Sequence, residues 1–159
     1  MEYSRGGPRR HGLPAVKIHL TFDEPILTEP EGRPVNPMYS DLSSFMVIAY
    51  SKEEILAEKM RALLQQQSKW PRSRDLYDLW FILSEKGEVF DWGSLYNLFA
   101  DKCQARQIEP DPALLVSETL KSTNKGVWRR QLEMLMREVP DFEEVWTDWV
   151  TFCKQRFEG

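Results

Sequence analysis

The stretch SKEEILAEKMRALLQQQSKWPRSRDLYDLWFIL, residues 51–83, decides the fold. Its first half carries apolar residues at Ile55, Leu56, Met60, Leu63 and Leu64, a helical stripe of about 3.6-residue period rather than strand alternation. Lys59 falls inside that stripe, whereas Glu58, Arg61 and Gln65 project the other way. A lysine facing a core needs a partner or a ligand, because an unpaired buried ammonium loses several kcal/mol of hydration or gives up its proton. The second half offers partners. Pro71, Ser73 and the charges of RSRD suit a helix start, and Leu76, Leu79, Ile82 and Leu83 mark its apolar face. Asp75 and Asp78, three apart, share a side of that helix and border the face. If QQQSKW turns the chain back, Lys59 lies about 12 Å before the end of one helix and Asp78 about 9 Å into the next, at about 1.5 Å per residue. The lysine and the carboxylates then meet at one level.

Outward from this hairpin, the 159 residues suit one domain, able to bury roughly two-thirds of its unfolded surface. Six Trp and eight Phe among 42% apolar residues argue against disorder despite 29% charged residues. A net charge of −4 supplies no overall basic field for nucleic acid, so any phosphate-binding site must be local. Cys103 and Cys153 are widely spaced, with no CxxC and no His cluster, which speaks against a zinc knuckle or a disulfide scaffold and predicts reduced thiols in a cytoplasmic core. No run approaches the roughly 20 apolar residues of a membrane span, and the basic start leads into no signal-peptide core.

Residues 1–14, rich in Gly, Pro and Arg, read as an exposed arm; Arg9 and Arg10 could touch phosphate, although a solvated terminus is the commoner role. VKIHLTF, residues 16–22, alternates as a half-buried strand with His19 on its polar face. His19 and Asp23 form at most a weak metal pair. Residues 24–44, with Pro25, Pro30, Pro34 and Pro37, predict an ordered surface loop, and the apolar SFMVIAY a short strand paired with residues 16–22. Beyond the hairpin, Asp91 caps a helix through Trp92, Leu95, Leu98 and Phe99, and Asp111 with Pro112 starts another ending near STNKG. VWRRQLEMLM predicts a further helix stopped at Pro140. The last helix has Phe142, Val145, Trp146, Trp149, Val150, Cys153 and Phe157 at three- and four-residue spacings, a stripe for the core rather than a ligand box. The sum is an α+β chain: a small β-sheet followed by a predominantly helical bundle of about six helices. A single domain spans 1–159, comprising an arm (1–14), strands and Pro-rich loop (15–50) and a helical region (51–159).

At AEKMRALLQQQ followed by PRSRDLYDLWFIL, the chain resembles the AbiEii/AbiGii group of nucleotidyltransferase-like toxins. The resemblance rests on Lys59 with Arg61-Ala62-Leu63 and on the run Arg74-Asp75-Leu76-Tyr77-Asp78-Leu79 one helix later, and extends weakly to VKIHLTFDEPIL, YSDLSSF and PDFEEVWTDW. It implies a nucleotidyltransferase-type sheet joined to a helical half, within a larger family architecture. It also implies transfer of a nucleotidyl group from a nucleoside triphosphate (NTP), in some members to tRNA, with Mg²⁺ as cofactor and a cognate antitoxin as partner. By resemblance Lys59 contacts nucleotide phosphates, Asp75 and Asp78 organise the site or the attacking group, and Arg74 joins Lys59 in binding substrate. Two family motifs have no counterpart here: a GG-[ST] phosphate loop, since Gly6-Gly7-Pro8 lacks the Ser or Thr, and the D-x-D metal pair. His19 stands where the family often places an acid. The chain thus reads as the C-terminal half to two-thirds of a member. Three roles stay open: part of a transferase, an inactive interaction module or split-enzyme half, and a structural Lys59–Asp78 ion pair that pins two helices.

Overall fold

The computed structural model describes residues 25–39, 41–67, 69–85 and 89–157. The expected arm, the strand at residues 16–22 and His19 lie outside the described residues. Among the described residues a two-stranded antiparallel sheet, β1 (Glu31–Val35) and β2 (Phe45–Ala49), precedes six α-helices, consistent with the α+β reading. These are α1 (Lys52–Gln66), α2 (Ser73–Ser84), α3 (Trp92–Ala105), α4 (Glu118–Lys125), α5 (Trp128–Leu132) and α6 (Phe142–Phe157).

The hairpin of α1 and α2 forms as the stripe requires. Ser51 caps α1, its hydroxyl accepting from the Glu54 N–H at 3.0 Å. Leu56, Met60 and Leu63 of α1 and Leu76 and Leu79 of α2 are at most 2% exposed. Helix α3 then packs on a second flank of α1, which corrects one expectation: Arg61, read as turning away, is buried, pairing with Glu58 and Gln65. Helix α6 closes the core, with Phe142, Val145, Trp146, Trp149 and Cys153 buried and Val150 and Phe157 half-buried against them. Buried indoles find acceptors: Trp149 donates to the Leu115 carbonyl and Trp128 to the Pro140 carbonyl, each at 2.9 Å. Asp91 caps α3 as expected, accepting from the N–H groups of Gly93 and Ser94.

Three local expectations change. Residues 24–44 are not all loop, because β1 lies within them and pairs with β2, Pro34 opposite Met46. Proline is tolerated there because β1 is an edge strand. Within β2, Met46 is 64% and Ile48 77% exposed. The segment opened by Asp111 and Pro112 is a short 3₁₀ helix, Pro112–Val116, broken before α4, where Ser117 supplies a new N-cap. Helix α5 is also shorter than the VWRRQLEMLM pattern predicts, and Met134 and Leu135 project into solvent.

Candidate functional site

Lys59, midway along α1, reaches α2. Its Nζ donates to Asp75 Oδ1 at 3.0 Å and to Asp78 Oδ2 at 2.6 Å. The three side chains expected to meet are therefore together, Lys59 on α1 and both carboxylates on α2. Asp75 also accepts from Arg72 Nε through its other oxygen, so each of its oxygens meets a cation. The second oxygen of Asp78 accepts no other hydrogen bond among the described residues, and its side chain is 43% exposed. Burial pulls the Lys59 ammonium toward losing its proton, but the hydrogen bond it donates to Asp78, together with the charge of Asp75 and the hydrogen bond donated to it, outweighs burial and holds its pKa above the ordinary lysine value. Lys59 is thus a fixed cation. An ammonium has three N–H donors, and two go to carboxylates, leaving one without a partner among the described residues.

Lys59 lines a cavity of about 290 Å³ whose walls include Ile26, Tyr50, Ile55 and Asp75. The same cavity exposes a second charged pair that the sequence reading missed. Glu54 of α1 and Lys102 of α3 are 1% and 4% exposed and form a direct ion pair. Glu54 also accepts from the N–H groups of Leu27 and Thr28 at 3.2 and 3.1 Å and from the Thr28 hydroxyl at 3.0 Å. Lys102 donates to the Pro25 carbonyl at 2.7 Å. Burial raises the Glu54 pKa, yet hydrogen bonds from Lys102, the Leu27 amide and Thr28 prevail and hold it below the ordinary carboxylate range. This pair clasps residues 25–28 over α1 and α3 and so makes Pro25 and Ile26 a wall of the cavity. A signal did exist: Leu95, Leu98, Phe99, Lys102 and Cys103 continue one helical stripe, so Lys102 interrupts it as Lys59 interrupts that of α1.

Arg74 is not drawn into the Lys59 cluster. It is exposed and lines an adjoining hollow with Pro71, Arg72, Asp75 and Gln131. Arg72, one position before α2, takes the place beside Asp75.

Residues 5–148 match the family model described as nucleotidyl transferase AbiEii toxin, type IV TA system. The chain belongs to the AbiEii family. Comparison with curated proteins and with solved structures finds no match. AbiEii membership makes this a nucleotidyltransferase-like toxin chain. A nucleotidyltransferase of this kind calls for a divalent metal, and the donors here can be tested against it. Both Asp75 oxygens and both Glu54 oxygens are occupied by cations or N–H groups, and Glu58 is held by Arg61. Among the described residues no group of three or more His, Cys, Asp or Glu could hold a metal ion. In the described part of this AbiEii chain the cavity wall carries Lys59, Arg72 and Lys102, each paired with one of the acids Asp75, Glu54 and Glu58 beside it. None of its described helices is long and apolar enough to cross a membrane.

Proposed function

We propose that this chain supplies the phosphate-binding wall of a nucleotidyltransferase toxin that, when complete, transfers a nucleotidyl group from an NTP to an acceptor such as tRNA. The observation that carries this reading is the Lys59 ammonium, fixed by Asp75 and Asp78 on the wall of a cavity, with one N–H left over. A desolvated cation so placed neutralises charge on the phosphoryl oxygens of a bound nucleotide, and its two carboxylates keep it charged and oriented. The free oxygen of Asp78 can accept a hydrogen bond from the attacking hydroxyl. Arg72, which lines the cavity as well, and Arg74 carry positive charge into the adjoining hollow. Mg²⁺ would come with the nucleotide and be held by carboxylates other than the described ones. The proposal includes a cytoplasmic setting, a cognate antitoxin as partner, and a single domain within a larger architecture.

A second reading, an inactive module or split-enzyme half that binds a partner protein, is favoured by the exposed apolar side chains of β2, Phe45, Met46 and Ile48. The two readings separate by titrating the purified chain with NTPs in a calorimeter. The first expects saturable binding that weakens at least tenfold in Lys59→Ala, with the circular dichroism spectrum retained. Equal affinity in wild type and variant would remove Lys59 from the site.

A further inference from the structure

Between α1 and α2 the chain carries a feature that reaches the cavity only through Arg72. Lys69, Trp70 and Arg72 follow one another there and Arg74 stands in the first turn of α2, all four exposed, in a chain of net charge −4. Trp70 is 70% exposed, and its ring meets no other aromatic ring and its indole N–H no acceptor among the described residues. The other tryptophans for which a partner is recorded sit against rings or donate to oxygen: Trp80 to Asp148, Trp128 to Pro140 and Trp149 to Leu115. An indole left in water beside cations is the arrangement that stacks an unpaired base while its neighbours hold the flanking phosphates. Helix α5 borders the same hollow through Gln131. Gln131 donates to the Pro71 carbonyl at 3.4 Å and lines the hollow with Arg72 and Arg74, and Arg130, next to it, is exposed. The side chains of Lys69, Arg74 and Arg130 have no acidic partner within ion-pair distance among the described residues, so their charge remains available to an anion.

We propose that Lys69, Trp70, Arg74 and Arg130 form a binding surface for a single-stranded polynucleotide, with a base on the Trp70 indole and phosphates on the three cations. Duplex fits poorly, because its bases already stack on one another and offer no free face. The surface meets the cavity at Arg72 and Asp75, which line both hollows, so a bound strand would lie beside Lys59. The proposal stands apart from the nucleotide reading: a strand can occupy this surface whether or not Lys59 meets an NTP.

The test is fluorescence anisotropy of labelled 12-nucleotide RNA and DNA strands, and of a duplex of the same sequence, with no NTP or added metal, from 50 to 200 mM salt. Wild type should bind one or both single strands more tightly than duplex. Trp70→Ala should weaken binding about tenfold and Trp70→Phe restore most of it, the ring rather than the indole N–H being what stacks. Lys69→Ala and Arg130→Ala should each lower the slope of log affinity against log salt by about 0.7, as expected per phosphate contact on a single strand. Thermal melting checks that each variant is folded. RNA above DNA or the reverse identifies the source of the strand, and either supports the proposal. Equal affinity of Trp70→Ala and wild type, preference for duplex, or binding of a poly-glutamate peptide in place of the strands would overturn it.

Discussion

Two lysines project from neighbouring helices to the same cavity, and their surroundings differ in kind. Lys102 is sealed: its side chain is 5% exposed and that of its partner Glu54 is 2%, with both Glu54 oxygens taken by hydrogen bonds. Lys59 is half-open: its side chain is 22% exposed, Asp78 is 43% exposed, and one carboxylate oxygen and one N–H remain for something else. Two charges buried against each other with every donor and acceptor used are a structural clasp. Charges held equally firmly but left incompletely satisfied at a cavity wall are what a ligand can use. The pair of lysines thus separates what holds the cavity together from what the cavity offers.

The largest expected effect tests the clasp. Glu54→Ala strands the Lys102 ammonium in the core and frees residues 25–28 from α1, and removal of one partner of a buried pair costs roughly 3–5 kcal/mol. Urea unfolding should show a loss of that order, and a loss under about 1 kcal/mol, the range of exposed pairs, would mean that water reaches the pair. Because the folded Glu54 pKa lies below its unfolded value of 4.5, its contribution is complete above that pH and disappears as pH falls through the folded pKa. The acid limb of stability should therefore flatten in Glu54→Ala.

An intermediate effect tests the open pair. A double-mutant cycle on Lys59 and Asp78 should give a stability coupling of about 1 kcal/mol or less, given the exposure of Asp78, alongside loss of nucleotide binding in Lys59→Ala. Coupling of about 3 kcal/mol with nucleotide affinity unchanged would turn this pair into a second clasp. Here the pH dependence has the opposite sign: the folded Lys59 pKa lies above 10.5, so its contribution is complete below that pH and is lost as pH rises through the folded value. The smallest effect belongs to Arg74→Ala. Exposed and outside both clusters, it should change unfolding free energy by no more than about 0.5 kcal/mol, and a larger change would place Arg74 in a structural contact.

How much of this was legible in the sequence follows from what one-dimensional periodicity can carry. Lys59 stood out because it broke a strong stripe, and Asp75 and Asp78 because a short turn left few places to search for partners. Glu54, Arg61 and Lys102 were not found because α1 is buried on two flanks, and the second exists only once α3 packs on it. Lys102 breaks the α3 stripe near its end, where only Cys103 follows to mark the apolar face. The strand β1 was hidden by its own composition, since Pro34 sits in a ladder where an edge position tolerates it. Arg72 went unnoticed beside Asp75 for a simpler reason: spacing three residues before the acid and one residue before it look alike until the start of α2 fixes which side each takes.

The clasp on residues 25–28 has a consequence for how the chain breathes. The amides of Leu27 and Thr28 belong to no helix or strand, yet both end on a carboxylate that is 1% exposed. Their hydrogens can exchange with solvent only when Glu54 releases them, an opening that also parts one wall of the cavity from α1. Two irregular-chain amides thereby become a clock for the mouth of the site, and the deuterium they take up records how often it stands ajar.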